Sequence, residues 1–193
     1  MKLAHINTGL FVAIIAINLY IFLAPYIPMG VFWVRQHTTN NSERLRQALH
    51  APRSSDVAPY PKDNRLVIPA LMLNTAINEG RDISALKDAT WRRPGGSAPD
   101  KGGNTVIVAH RFTYTDPEGT FYYLHKLAKG DEVGIFWEGK RYIYKVAAVR
   151  VVSPRETSVE DATEKPQLTL YTCTPLWLPK DRLVVTATLE SAL

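Results

Sequence analysis

Three side chains suited to covalent chemistry each stand beside a short run of β-favouring residues. Cys173, the only cysteine of the chain, ends the alternating run Leu168–Thr172, and His110 follows the apolar run Val106–Ala109. Arg182 opens the last β-favouring run. A thiolate attacks a carbonyl carbon, an imidazole carries protons, and a guanidinium stabilises an oxyanion. Together these groups indicate acyl transfer through a thioester.

Each of these residues also has a structural interpretation. Cys173 suits a small buried apolar position, His110 a hydrogen-bonded loop position, and Arg182 an ion pair with a carboxylate. Two further histidines are poorer candidates. His125 lies on a predicted helix and is expected to be solvated, and His37 lies in a polar segment.

The N-terminal part of the chain favours a membrane helix. Thr8–Val34 is dominated by apolar residues, and no charged residue lies between Lys2 and Arg35. About 20 such residues in a helix cross a bilayer. A cleaved signal peptide is the alternative, but Pro25 directly follows the best small-residue cleavage position. We predict an uncleaved transmembrane anchor over residues 1–36, whose orientation the charges leave open.

The remaining chain divides into a polar segment and a globular domain. Residues 37–64 are polar and rich in proline, and are predicted to form a stalk with one short helix around Glu43–Leu49. Residues 65–193 carry several short β patterns, a predicted helix over Phe121–Leu127 and a Pro/Gly-rich loop over Trp91–Gly103. This pattern favours an all-β barrel or sandwich. The predicted strands are Leu66–Ile68, Leu71–Leu73, Val106–Ala109, Glu132–Trp137, Arg141–Val152 and two after Pro166.

Composition excludes several functions. The chain has 193 residues and a formal net charge of +5, without the Lys/Arg block or aromatic platform that nucleic-acid binding needs. A single cysteine forms no internal disulfide. No cofactor is predicted, and no metal site.

Local sequence motifs resemble those of the sortases, the membrane-anchored cysteine transpeptidases. Thr169–Cys173 fits their Thr-Leu-x-Thr-Cys signature, and Gly103–Arg111 looks like their histidine motif. Phe121–Asp131 resembles the Phe-x-x-Leu-x-x-Leu-x-x-Gly-Asp segment, and Arg182 falls in the Arg-Leu-x-Val position. The resemblance covers Arg65–Leu189, with the four motifs in the order of the family.

The resemblance implies a closed eight-stranded sortase β-barrel on the outer side of the cell membrane. It also implies cleavage of a Leu-Pro-x-Thr-Gly-like C-terminal sorting signal after Thr. The protein so released would be joined to an amine, either of a peptidoglycan precursor or of a pilin lysine. Cys173 would be the nucleophile and His110 the general acid/base. Arg182 would orient the signal and stabilise the oxyanion, and Thr172 would contact the substrate.

Details of the motifs bear on the subclass. Ala109 replaces a common Gly, and Cys173–Pro175 with the short gap to Arg182 resembles class C or class D members more than class A. Pilin-assembling class C members commonly carry an Asp-Pro-aromatic lid and a second membrane helix. Asp116–Glu118 lies in the wrong place for that lid, and the sequence ends at Leu193. We expect a class D-like or class E-like chain, with pilin polymerisation as the alternative. No acidic cluster indicates the calcium site of some class A members.

Other peptidase classes fit less well. L,D-transpeptidases need Ser-x-Gly-Cys where Tyr171 and Thr172 precede Cys173, papain-like enzymes place the cysteine before the histidine, and caspases need Gln-Ala-Cys. A non-catalytic, membrane-tethered β-domain that binds peptides stays open as a different class of function.

Overall fold

The computed structural model describes residues 2–51, 61, 63–87, 89–112, 121–176 and 178–193. These residues form two compact units, with the boundary between Thr38 and Thr39.

The first unit is helical. Helix α1 (Lys2–Leu23) is followed by a 3-10 turn at Ala24–Tyr26, which contains Pro25, and by α2 (Ile27–Thr38). Apolar side chains of α1 are exposed from Leu10 to Leu23. At 1.5 Å per residue α1 is about 33 Å long, comparable with a hydrocarbon core of about 30 Å. The helical stretch is therefore long and apolar enough to cross a membrane, a property that signal sequences share.

The second unit consists of one α-helix, eight strands and short 3-10 turns within the described residues. Helix α3 covers Asn41–His50. The strands are β1 (Arg65–Ile68), β2 (Leu73–Asn78), β3 (Thr90–Arg92), β4 (Asn104–Val108), β5 (Glu132–Trp137), β6 (Lys140–Val152), β7 (Gln167–Thr174) and β8 (Asp181–Ala192).

The strands close into a barrel in the order β1-β2-β3-β4-β7-β8-β6-β5. Pairing of β1 with β5 completes the cylinder. The ladders are antiparallel except for β2 with β3 and β4 with β7, which are parallel. The predicted closed, eight-stranded all-β barrel is confirmed.

Alternation along each strand divides the barrel into an apolar interior and an outer face. Leu168 and Leu170 of β7 and Val185 of β8 are fully buried in the interior, as is Ile107 of β4. Smaller clusters on the outside bury Val106 and other residues beneath the connecting segments. Side chains along a strand point alternately to its two faces. These buried positions therefore show which residues of β4, β7 and β8 point into the barrel and which point outward.

Helix α3 packs on the outer face of the barrel, within the segment that the sequence assigned to a stalk. Leu49 is fully buried and contacts Val67 of β1 and Phe136 of β5. Gly134 leaves room for it, because a Cβ at that position would stand 2.1 Å from Leu49 Cδ2. Part of the predicted stalk, residues 52–60 and 62, lies outside the described residues.

Two polar contacts also join the end of α3 to the barrel. His50 Nε2 lies 3.1 Å from Glu132 Oε2. Arg141, which is buried, donates from Nη1 to the backbone oxygen of Ala51 at 2.8 Å. The chain directly after α3 is thus held by hydrogen bonds as well as by apolar packing.

The predicted hairpin around Glu138 and Gly139 is confirmed. It joins β5 to β6, and both turn residues have positive φ, 48° and 73°. Two such residues in succession match the twist of the flanking strands. The predicted strands that end at Cys173 and begin at Arg182 are also present, as β7 and β8.

Three local predictions differ from the structure. Pro69 starts a 3-10 turn that ends at Leu71, so β2 begins only at Leu73 and runs to Asn78. Strand β3 overlaps the start of the predicted loop Trp91–Gly103, and its three residues are too few to give a periodic signal. The predicted helix over Phe121–Leu127 contracts to a 3-10 turn at Leu124–Lys126.

Candidate active site

The ends of two parallel strands bring His110 level with Cys173. The β4–β7 ladder pairs Ile107 with Leu170 and Val108 with Tyr171, which is its last pair. Cys173 lies two residues further along β7, and His110 lies two residues past the end of β4. The long apolar runs of both strands are therefore what carries an imidazole and a thiol to the same end of the barrel.

Arg182 lies directly opposite Cys173 on the other side of β7. The two residues are register partners in the antiparallel β7–β8 ladder. Directly opposed residues on antiparallel strands have Cβ atoms about 4.5–5.5 Å apart and side chains on the same face. Arg182 is therefore a cross-strand neighbour of Cys173.

The three side chains share the outer face of the barrel wall. Val106 and Val108 pack in an outer cluster, whereas Ile107 and Ala109 pack in the interior. His110, the next residue, is exposed and continues this alternation on the outer face. On β7 the same alternation buries Leu170 inside and leaves Cys173 outside. Because Arg182 pairs with Cys173, it lies on this face as well.

The exposure of the three residues suits a reactive site. Cys173 is a free thiol and is half-buried, as is Arg182, whereas His110 is exposed. Arg182 Nη1 donates to the backbone oxygen of Asp181 at 3.2 Å. Cys173 is therefore partly open to solvent on this face.

Thr172 faces away from this site. Its side chain is 2% exposed, and Oγ1 donates to the backbone oxygen of Ala109 at 2.8 Å. The hydroxyl links β7 to the chain just before His110. Its predicted contact with substrate stays a prediction, and the described contact is structural.

A polar network that the sequence analysis missed lies beside the site on the outer face. Tyr171 donates its hydroxyl to Glu160 Oε1 at 2.5 Å, and Arg93 Nε donates to the same oxygen at 3.1 Å. Burial and the Glu160 carboxylate raise the pKa of Tyr171, while the charges of Arg93 and Arg182 act in the opposite direction. The network joins β7 to the 3-10 turn Thr157–Glu160 that precedes it.

Asn104 holds the same connection between β6 and β7. Its side-chain amide donates to the backbone oxygens of Val159 (3.1 Å) and Asp161 (3.0 Å), and its Oδ1 accepts from Thr169 at 2.8 Å. Alternation alone placed Tyr171 on the face of Cys173. Nothing in the sequence connected Glu160 with it, because that residue lies in an irregular segment.

The other histidines stay outside this arrangement. His125 lies in the 3-10 turn Leu124–Lys126, where partial burial and the charge of Arg111 lower its pKa. His37 contacts Trp33 O within α2. In the described part of the chain, no group of three or more His, Cys, Asp or Glu residues is arranged to hold a metal ion.

Fold and site together define a class of protein: a closed β-barrel with a thiol, an imidazole and a guanidinium at one end of its outer face. Such a set is able to form and resolve a thioester. The sortase-domain family model matches residues 66–190. The chain therefore belongs to the sortase family.

Named relatives agree with the family. The chain is 30% identical over 148 residues to Sortase SrtE1 of Streptomyces coelicolor, covering 71% of this chain. It is 28% identical over 111 residues to Sortase D of Bacillus subtilis, covering 57% of this chain. These names agree with the expected class D-like or class E-like membership. The matches span 38% and 53% of the lengths of the two relatives.

A solved structure gives the same result for the fold. The crystal structure of Sortase E1 from Streptomyces coelicolor, with a tripeptide in its active site, superposes with a TM-score of 0.59 at 27% identity. The match covers 70% of this chain and 93% of that one. The barrel described above is the sortase fold.

Proposed function

We propose that this chain is a cysteine transpeptidase that cleaves a Leu-Pro-x-Thr-Gly-like C-terminal sorting signal after Thr and transfers the protein to an amine. The observation that carries the proposal is the cross-strand pairing of Cys173 with Arg182, next to the parallel strand β4, which ends two residues before His110. Membership of the sortase family supports it.

In this proposal Cys173 is the nucleophile. Its thiolate attacks the carbonyl carbon of the signal Thr, and the resulting oxyanion is stabilised by Arg182. Collapse of the tetrahedral intermediate breaks the Thr–Gly amide bond and leaves a thioester on Sγ. His110, as imidazolium, gives its proton to the departing amine.

The second half-reaction reverses these roles. His110, now neutral, takes a proton from the incoming amine as that amine attacks the thioester carbonyl. The thiolate leaves, and a new amide joins the Thr to the acceptor. A guanidinium suits both steps, because its planar fork donates two hydrogen bonds to one oxyanion or carboxylate-like group.

We propose that the protein works from the membrane. The sortase family is membrane-associated, and the chain has a candidate membrane helix at Asn7–Thr38. In this proposal the helix is a single-pass anchor and the barrel lies outside the cell. The substrates are surface proteins with a sorting signal, and the acceptor is an amine of a peptidoglycan precursor or a pilin lysine.

The test uses the full-length chain in detergent, a library of signal peptides and an added small amine, with products read by mass spectrometry. Wild type is expected to give both the Thr-ended fragment and its amide with the added amine. Cys173→Ala should abolish both products and leave the unfolding midpoint unchanged. Turnover by this variant would exclude the thiol as nucleophile.

A thiol-directed vinyl sulfone distinguishes the enzyme from a non-catalytic peptide-binding domain. Cys173 of an active sortase is expected to label rapidly, and peptide substrate should protect it. Slow labelling, no faster than that of free cysteine, together with tight peptide binding would support the binding domain instead.

A further inference from the structure

Two side-chain hydrogen bonds lie on either side of the level at which His110 faces Cys173. One residue before, Thr172 Oγ1 donates to the backbone oxygen of Ala109 at 2.8 Å. One residue after, Arg111 Nη1 donates to Thr174 Oγ1 at 2.6 Å. Both bonds join the end of β4 to the end of β7.

These bonds extend the pairing of the two strands beyond their backbone ladder. The ladder ends at Val108 with Tyr171, so His110 lies two residues past its last pair. The backbone oxygen of His110 accepts from the N–H of Phe121 at 2.8 Å. The chain that carries the imidazole is thus held at three successive residues, and two of the three bonds end on neighbours of Cys173.

The Arg111 bond is suited to holding a fixed geometry. The Arg111 side chain is half-buried, and this burial lowers its pKa. A hydrogen bond from a guanidinium to a hydroxyl is charge-assisted and stronger than one between neutral groups. By the alternation of β7, Thr174 occupies the face opposite to Cys173, and Arg111 Nη1 reaches its hydroxyl.

We propose that Arg111 is a positioning residue, which fixes the separation between the His110 imidazole and Cys173 Sγ through its bond to Thr174. In this proposal it acts through Thr174, the residue that follows Cys173 in β7. The catalytic consequence of this bond rests on the function proposed above.

The expected effect follows from geometry. Proton transfer needs heavy atoms about 2.6–3.2 Å apart, and a misplacement of about 1 Å can lower a rate by about 100-fold. Loosening the strand ends should therefore lower kcat. The outer face that the peptide contacts is unchanged, so KM should stay within about twofold of wild type.

The experiment compares variants of the full-length chain in the signal-peptide assay. Thr174→Val removes the acceptor and keeps the side-chain shape, and should lower kcat by about 10- to 100-fold. Thr174→Ser keeps the acceptor and should restore most of the rate. Thr188→Val, at an exposed threonine of β8, is the matched control and should behave as wild type.

A double-mutant cycle tests whether the two residues act through one bond. Arg111→Met should lower kcat as far as Thr174→Val does, and the double variant should lose no more than either single variant. Additive losses, or an equal loss in Thr174→Ser and Thr174→Val, would overturn the proposal. Arg111→Met also supplies the test if Thr174→Val fails to fold.

A substrate-free measurement separates this proposal from the proposed function. The alkylation rate of Cys173 by iodoacetamide should fall in Thr174→Val and stay at the wild-type value in Thr188→Val. A wild-type rate in Thr174→Val would refute the positioning role even in an active transpeptidase. If Cys173 of the wild type is alkylated rapidly but the protein cleaves no signal peptide, the proposed function is refuted. The proposed effect of Arg111 on the thiol would still stand.

Discussion

The fit of Leu49 over Gly134 predicts that substitutions at these two positions compensate each other. Gly134→Ala in the wild-type background puts a Cβ 2.1 Å from Leu49 Cδ2, 3.1 Å from Cδ1 and 3.2 Å from Cγ. The Leu49 side chain, or α3 together with it, must then shift. Overpacking of this kind costs about 1–3 kcal/mol.

Leu49→Ala alone should cost about 3–5 kcal/mol, because the leucine is fully buried and its removal leaves a cavity. In that background the added methyl group of Gly134→Ala finds free space. An alanine in a strand interior is then more favourable than glycine by about 0.5–1 kcal/mol. The sign of the Gly134 effect is therefore expected to reverse, with a coupling energy of about 1.5–4 kcal/mol.

Urea unfolding of residues 39–193 measures this cycle, with the fluorescence of the buried Trp91 and Trp137 as the signal. The slope of the unfolding free energy against urea concentration should be the same for the wild type, the two single variants and the double variant. Differences in the unfolding midpoint then give the differences in stability. Leu178→Ala, at a leucine that is 70% exposed, should change stability by less than about 0.5 kcal/mol. Strictly additive effects of the two substitutions would show that α3 does not occupy the space above Gly134.

Two further predictions concern charge. Arg182→Lys should lower kcat by about 100- to 1,000-fold, because an ammonium lacks the planar two-donor fork of a guanidinium. The unfolding midpoint should stay unchanged. Wild-type kinetics in the peptide assay would show that Arg182 is not part of the site. Burial raises the pKa of Tyr144 from 10.0 to about 12, so the unfolded chain releases this proton first and stability should fall as the pH rises from 10.0 to about 12. The expected loss of unfolding free energy is on the order of 2–3 kcal/mol. Measured as unfolding against pH, this loss should be smaller in Tyr144→Phe. An identical decline in both proteins would contradict the assignment of the pH dependence to Tyr144.

The sequence indicated where Cys173, His110 and Arg182 lie because the strands next to them are strongly patterned, while their catalytic roles stay a prediction. Leu168 and Leu170 fix the face of Cys173, and the apolar residues before His110 fix the direction of β4. Arg182 lies at the start of β8, which pairs with β7, the strand that precedes it in the sequence. Local periodicity thus predicted which residues meet, once the family resemblance supplied the order of the strands.

Features that depend on contacts between distant segments were not predictable in this way. Glu160 meets Tyr171 only because the β6–β7 connection folds back over the outer face. The docking of α3 depends on Leu49 filling the space above Gly134. That space exists only where β1 and β5 pair, so the sequence alone does not show it. A charged, short helix with few apolar positions looks like part of a linker when its partner surface is unknown.

The parallel pairing of β4 with β7 has a consequence for how the protein matures. The bonded residues that bracket the site are 63 positions apart in the chain, and contacts of such separation form late because loop-closure entropy opposes them. A partly folded chain therefore carries its cysteine without the neighbouring imidazole. In the transpeptidase proposed above, a nascent molecule would therefore acquire its pair of Cys173 and His110 only when the cylinder is complete, and it would not cleave peptides before that.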